Sequence, residues 1–252
     1  MSNGRVGIVT GASSGIGRAV TCHFVGHGMR VVAAGRNAGQ LSKLVDDLAG
    51  QPGEVLPVRG DMTAPGHAEE LLAAADQRWG APSVFVACAG QGLPGTVLGS
   101  DPTRWDEMVS ANYLAVLRQM RACAERFVAL AQGDGGRQAR DLVVLGSTVG
   151  RQVSAANPVY GSTKFALHSL VEALRQEVCG YGIRVSLIEP GFVRSGFQEA
   201  AGYDMEWFER VAEENGPLLT PDDVAETVTF VVERPPHVHL DDIRMRPTRQ
   251  RA

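Results

Sequence analysis

The sequence predicts an α/β fold: a doubly wound parallel sheet of about seven strands with helices on both faces, in one domain spanning residues 1–252. Three features point to it. Short β-branched apolar runs recur between amphipathic stretches of helical length, the pattern of βα units. The first run passes straight into a glycine-rich turn and then a helix. Small or turn-forming residues (Ala89-Gly90, Ser147, Pro190-Gly191) stand where later runs end, at the carboxyl ends of parallel strands, where such sheets bind ligands.

Arg5 to Thr10 reads as a strand buried on both faces. Gly11, Ser13, Ser14, Gly15, Ile16 and Gly17 follow, and Ile16, Ala19, Val20 and Phe24 mark one side of the next helix. Glycine is needed there for a tight turn, for close approach of a pyrophosphate and for helix–strand packing. The free N–H groups of the helix start favour phosphate. These residues are therefore candidates to hold a dinucleotide. Gly28 closes the helix, and Arg30 to Ala34 is the second strand. Where a carboxylate would accept from a ribose 2′-OH, the chain carries Gly35-Arg36. Arg36 suits a 2′-phosphate, so NADP(H) is expected in preference to NAD(H); the alternative for Arg36 is a solvated loop charge.

Ala38 to Leu48 carries Leu41, Leu44, Val45 and Leu48 at core spacing for a helix, and Glu54 to Val58 is the third strand. Asp61, with Met62 beside it, is placed to accept from an adenine amino group, or else is an N-cap or turn residue. Pro65 to Trp79 is a helix and Ser83 to Ala87 the fourth strand, after which Ala89 and Gly90 permit close backbone approach. Asp101-Pro102 opens a helix expected to run to about Gln132. Its apolar residues lie on two sides, one for the sheet and one for a second subunit. Asp141 to Leu145 is the fifth strand, with Ser147 at its end. Pro158 starts the next helix, and Arg184 to Ile188, ended by Pro190-Gly191, is the sixth strand. Residues 191–219 hold no clear strand and read as either a lid or a disordered segment, in which Tyr203, Trp207 and Phe208 suit a short helix over the site. Thr220 to Asp223 caps another helix, His239 to Met245 is the last strand, and Arg246 to Ala252 is a polar edge.

Tyr160 and Lys164 stand four apart, on one face of their helix. A free tyrosine is protonated at neutral pH, and a neighbouring ammonium is expected to lower its pKa toward that of a working acid or base. The chain has only two lysines, Lys43 and Lys164, which makes a chance pairing uncommon.

These motifs together resemble the short-chain dehydrogenases/reductases over nearly the whole chain. The resemblance rests on Thr10-Gly11-x3-Gly15-Ile16-Gly17, on Asn112, on Ser147 thirteen residues before Tyr160, on Tyr160-x3-Lys164, and on Pro190-Gly191-Phe192-Val193-Arg194-Ser195. It implies a Rossmann-like fold and hydride transfer between a nicotinamide and a secondary alcohol or a ketone or aldehyde. It also implies roles. Tyr160 gives or takes the proton, Lys164 lowers its pKa and holds the nicotinamide ribose, Ser147 stabilises the substrate oxygen, and Asn112 holds a relay water. Pro190, Gly191, Val193 and Ser195 sit at the carboxamide. The family's Asn-Asn-Ala-Gly is Ala87-Cys88-Ala89-Gly90 here, which weakens the hydrogen bonding expected of those amides, and Ser195 replaces the usual threonine. The C-terminal motifs Pro221 to Ala225, Pro236 to Val238 and Arg246 to Thr248 resemble an NADP-dependent subgroup acting on 3-hydroxy acids or serine.

The other class of function in view is a non-catalytic NADP(H)-binding redox sensor. A net charge of −4 lacks the basic footprint of a nucleic-acid binder, and no apolar run is long enough to span a membrane. The N-terminus lacks a signal-peptide core, and four scattered cysteines read as reduced thiols of a cytoplasmic protein. The pairs His23/His27 and His237/His239 lack a third ligand, so no metal is expected. Arg151 and Arg194 flank the expected pocket, either to grip a carboxylate or phosphate or as solvated charges. A homodimer or homotetramer is expected.

Overall fold

The computed structural model describes residues 4–251; Met1 to Asn3 and Ala252 lie outside the described residues. Seven parallel strands form one sheet: β1 (Val6–Thr10), β2 (Arg30–Gly35), β3 (Glu54–Arg59), β4 (Val84–Ala87), β5 (Arg140–Leu145), β6 (Ile183–Pro190) and β7 (Asp242–Met245). Their spatial order is β3-β2-β1-β4-β5-β6-β7. The order reverses direction between β1 and β4, and ligands of such sheets bind in the crevice outside that switch point. The unbroken apolar runs of β1 and β4 are buried on both faces, whereas the edge strands β3 and β7 are partly exposed.

Helices α1 (Gly15–Gly26), α2 (Ala38–Asp47) and α9 (Pro221–Val232) cover one face, burying Phe24, Leu44 and Val228. Helices α3 (His67–Trp79), α5 (Ala115–Asp134) and α6 (Pro158–Val178) cover the other, burying Leu71, Phe127 and Leu167. Each such side chain contributes about 1.5–3 kcal/mol by leaving water. Arg184, on β6, is buried with its charge satisfied: Asp141 accepts from its Nε at 2.6 Å and four main-chain carbonyls take its other donors.

Two expected elements differ. The long helix after Asp101 is not continuous: a short 3₁₀ turn precedes α4 (Trp105–Val109), and a π turn over Ser110–Leu114 separates α4 from α5. Such a turn shifts the hydrogen-bond register by one residue and re-aims its side chains. The last strand starts at Asp242 rather than His239. The imidazole of His239 takes the place of a strand partner, its Nε2 lying 3.2 Å from Val185 N and 3.0 Å from Val185 O.

Residues 191–219 are a lid built of α7 (Phe197–Ala201) and α8 (Met205–Asn215). Its two ends are pinned together: Val193 bridges Leu219, Arg194 N donates to Leu219 O at 2.7 Å, and Leu219 N donates to Phe192 O at 3.1 Å.

Candidate active site

The turn between β1 and α1 has the conformation its glycines allow. Gly11 and Gly15 lie at φ +71° and +51°. A Cβ on Gly17 would stand 2.4 Å from Gly11 O, so no larger residue fits. Ser14 occupies the N-cap of α1 but makes no side-chain cap hydrogen bond. The first-turn N–H groups are left to the cavity beside them. That cavity measures about 1050 Å³. Gly11, Ser13, Ser14, Gly15, Ile16 and Gly17 line it, and so do Arg36, Asp61, Met62, Ala89 and Gly90. Beyond them lie Ser147, Tyr160, Lys164, Pro190, Gly191, Val193 and Ser195. One groove therefore gathers residues that are scattered from Gly11 to Ser195 in sequence.

Asp61 serves as the turn residue that was the alternative reading of it, while still lining the groove. Its Oδ1 accepts from Thr63 N at 2.9 Å and Thr63 Oγ1 at 2.8 Å. Those bonds, the main-chain one first, hold its carboxyl below the ordinary range. Beside Cys88, Thr10 Oγ1 accepts from Cys88 N at 3.2 Å and Ala89 N at 3.3 Å. Burial pushes the Cys88 thiol up to about 12, opposed by Lys164.

At the other end, the Ser147 hydroxyl faces the Tyr160 phenol, near enough to oppose the upward shift of its pKa, and donates to Pro190 O at 3.5 Å. Lys164 Nζ stands 5.8 Å from the Tyr160 ring centre and donates to Leu145 O at 2.9 Å. The expected lowering of the tyrosine pKa is not what this site shows. Burial pushes Tyr160 upward, and the Ser147 bond only opposes it. Burial likewise draws Lys164 from 10.5 down to about 8. Tyr160 is thus held protonated.

Asn112 is buried and does not line the cavity; its neighbour Ala111 does. The Asn112 side chain is committed to the main chain of Gln91, accepting from Gln91 N at 2.9 Å and donating to Gln91 O at 2.8 Å. It fixes the loop after β4. The two flanking arginines are also spent elsewhere. Arg151 gives Nε to Glu189 at 2.9 Å and Nη2 to Asp242, and Arg194 pairs with Glu209 at 2.8 Å. Neither lines the cavity.

Over the reacting end the lid presents Phe197, Tyr203 and Trp207. Phe197 packs on Tyr160 at 5.9 Å, and Tyr203 stacks on Trp207 at 6.2 Å while its hydroxyl accepts from Asn157 Nδ2 at 3.2 Å. Phe208, grouped with them in the sequence, turns away and is buried beneath Arg194. Asn157, Phe197 and Gln250 also line the cavity and carried no sequence signal. Among the described residues no three His, Cys, Asp or Glu side chains are grouped to hold a metal.

A family model described as short chain dehydrogenase matches residues 5–206. The chain belongs to the short-chain dehydrogenase family. Within it, this chain is 33% identical to dehydrogenase/reductase SDR family member 11 of Bos taurus, covering 98% of this chain and 97% of that one. Among solved structures of the family, the closed form of serine dehydrogenase complexed with NADP+ superposes with a TM-score of 0.87. It is 29% identical, covering 98% of this chain and 96% of that one. The alcohol dehydrogenase from the archaeon Thermococcus sibiricus, complexed with 5-hydroxy-NADP, gives 0.83 at 25% identity, covering 98% of each chain. The family's oxidoreductase class and its single Rossmann-like domain apply here.

Proposed function

We propose that this short-chain dehydrogenase is an NADP(H)-dependent enzyme that interconverts a secondary alcohol and a ketone or aldehyde, with Tyr160 as its acid and base. The observation that carries this is the meeting of the Ser147 and Tyr160 hydroxyls at one end of a groove whose other end holds Arg36. The residues fit a dinucleotide: the turn admits no side chain at Gly17, and the first-turn N–H groups of α1 lack a side-chain cap. Gly11 to Gly17 would take the pyrophosphate, Arg36 with Ser13 the 2′-phosphate, and Asp61 and Met62 the adenine. Ala89 and Gly90 would allow close approach. Lys164 would hold the nicotinamide ribose, and Pro190 to Ser195 the nicotinamide. The bound cofactor supplies or accepts hydride.

The chain's own groups handle the oxygen and the proton. In reduction, Tyr160 passes its phenolic proton to the carbonyl oxygen as charge develops there, and Ser147 donates a hydrogen bond to the same oxygen. The Lys164 ammonium, charged below about pH 8, favours the phenolate left behind. In oxidation it is the Tyr160 phenolate, the form that the Lys164 ammonium favours, that takes the alcohol proton. The redox-sensor alternative needs only the cofactor groove and gives no use to the Ser147–Tyr160 pair.

Trp105, Val109, Leu114 and Leu117 are exposed on the outer side of α4 and α5, and Phe165 on α6. They support a second copy on that face, in a homodimer or homotetramer. The four free cysteines support a reducing, cytoplasmic setting. No helix among the described residues is long and apolar enough to cross a membrane.

The test is NADPH and NADH oxidation against ketones, keto acids and aldehydes, with NADP-driven alcohol oxidation alongside. Tyr160→Phe is expected to lower kcat by about 10²–10⁴-fold while leaving NADPH affinity nearly intact. Surviving turnover in that variant would remove Tyr160 from the mechanism.

A further inference from the structure

We infer that Gln250 is a positioning residue for the nicotinamide end of the groove, acting through the main chain of Gly191 and Phe192; this rests on the cofactor reading above. Where β6 ends, the chain must turn away from the sheet, and its next N–H groups need new partners. The end of β7 and the segment after it supply them. Gly191 N donates to Met245 O at 2.8 Å, the last rung of the β6–β7 pairing. The chain then doubles back, with Gln250 N donating to Pro247 O at 2.9 Å. That turn brings the Gln250 side chain over the loop, where its Oε1 accepts from Phe192 N at 3.0 Å. The fit needs a glycine: a Cβ on Gly191 would stand 2.2 Å from Gln250 Oε1. Of the polar tail expected to be an edge, Gln250 lines the cavity.

What Gln250 fixes from behind is the loop that faces the reaction. Pro190 O lies 3.5 Å from Ser147 Oγ on one side. On the other, Ser195 approaches the glycine turn, its Cβ lying 3.8 Å from where a Cβ on Gly15 would be. Trp207 packs on Phe192 at 6.3 Å, so the lid rests on the same segment. Without the Gln250 acceptor, the Phe192 N–H must find another partner and the loop shifts. A shift of under an ångström is enough to misalign a reacting centre. Arg36 and the glycine turn take no part in these bonds, so the effect should be confined to half of the cofactor.

The experiment compares two ligands on the full chain: NADPH, which uses the whole groove, and 2′,5′-ADP, which uses only the adenine and 2′-phosphate end. Gln250→Leu keeps the bulk and removes the acceptor. It is expected to weaken NADPH roughly tenfold, the upper range for one lost hydrogen bond, and to lower kcat. Binding of 2′,5′-ADP should stay within about twofold of wild type. Gln250→Glu, which keeps an oxygen at the same reach, should recover most of the NADPH affinity. Gln250→Met serves as the second acceptor-free variant should leucine fold poorly. Equal weakening of both ligands would show a merely structural role and overturn the inference, as would unchanged NADPH binding. A wild-type protein that binds neither ligand would instead overturn the cofactor reading.

Discussion

Gly92→Ala isolates the lid from the rest of the site. Gly92 sits in the loop after β4, and a Cβ there would meet Ala201 Cβ, Phe197 Cε1 and Tyr203 Cε2, each at 2.9 Å. All three atoms belong to the lid. Ordinary contact for such atoms begins near 3.4 Å, so each must retreat by about half an ångström. Their freedom to do so is small. Phe197 is braced on Tyr160, Tyr203 is stacked on Trp207 and bonded to Asn157, and Ala201 O accepts from Arg104 Nη1 at 3.1 Å. Gly92 is not in the left-handed region, so alanine adds no backbone strain. Overpacking of one methyl group costs about 1–3 kcal/mol. The least costly relief is for the lid to lift about its pinned ends at Phe192 to Arg194 and Leu219. The closed population then falls by about 5–150-fold, and kcat/KM for the carbonyl substrate falls with it. NADPH affinity, set largely at Gly11 to Gly17 and Arg36, should change little, and the melting temperature should hold because lifting the lid removes the clash. Steady-state kinetics and NADPH fluorescence titration make the comparison. A kcat/KM within about twofold of wild type, the scatter of a conservative change, would refute the lid geometry. So would a loss of NADPH affinity as large as the loss of kcat/KM.

Two further outcomes follow from single residues. Arg36→Asp should weaken NADPH by at least about tenfold, the worth of one charge-assisted bond, and leave NADH nearly unchanged; an unaltered NADPH/NADH affinity ratio would return Arg36 to a solvated loop charge. Leu117→Glu places a charge in the exposed apolar face of α5, and sedimentation should show wild-type dimer or tetramer shifting toward monomer. A wild-type protein that sediments as monomer would end the oligomer proposal.

The sheet was legible because its strands are short apolar runs, and buried parallel strands need nothing else. The groove was legible because its chemistry is local. Gly11 to Gly17 and Tyr160-x3-Lys164 each act within two helical turns, where spacing fixes geometry. What escaped was contact between distant residues. Nothing in the sequence near Arg151 announces Glu189, 38 residues on, which takes its guanidinium out of the pocket. Gln250 meets Phe192 across 58 residues. The π turn at Ser110–Leu114 escaped because its sequence reads as ordinary helix, and only the demand of Asn112 for the Gln91 main chain distinguishes it. The direction of the Tyr160 shift escaped for another reason. Spacing shows that a lysine is near, but the shift follows burial first, and burial is a property of the whole fold.

That same burial makes Lys164 a stability liability, with a sign that can be tested. Its ammonium titrates near 8 in the fold against 10.5 for a free side chain. Below about pH 8 both folded and unfolded chains hold the proton, and folding carries the full cost of burying the charge. Between about pH 8 and 10.5 only the unfolded chain still binds it, so stability from this group rises with pH across that window. The shift corresponds to about 3 kcal/mol. Lys164→Met removes the titration, though it also leaves Leu145 O without its donor, so its offset from wild type at any one pH is a sum of opposing terms. The change of that offset with pH is not. Relative to wild type, the variant should lose about 2–3 kcal/mol of advantage between pH 7 and 10.5, roughly 4–12 °C in melting temperature for a chain of this size. The measurement is thermal unfolding of both proteins without cofactor across that range. An offset that does not move with pH would mean that Lys164 is not held near neutrality, and the assignment of a buried ammonium beneath Tyr160 would fall. An offset that moves as expected would place a titrating ammonium, on one of the chain's two lysines, beside the Tyr160 phenol.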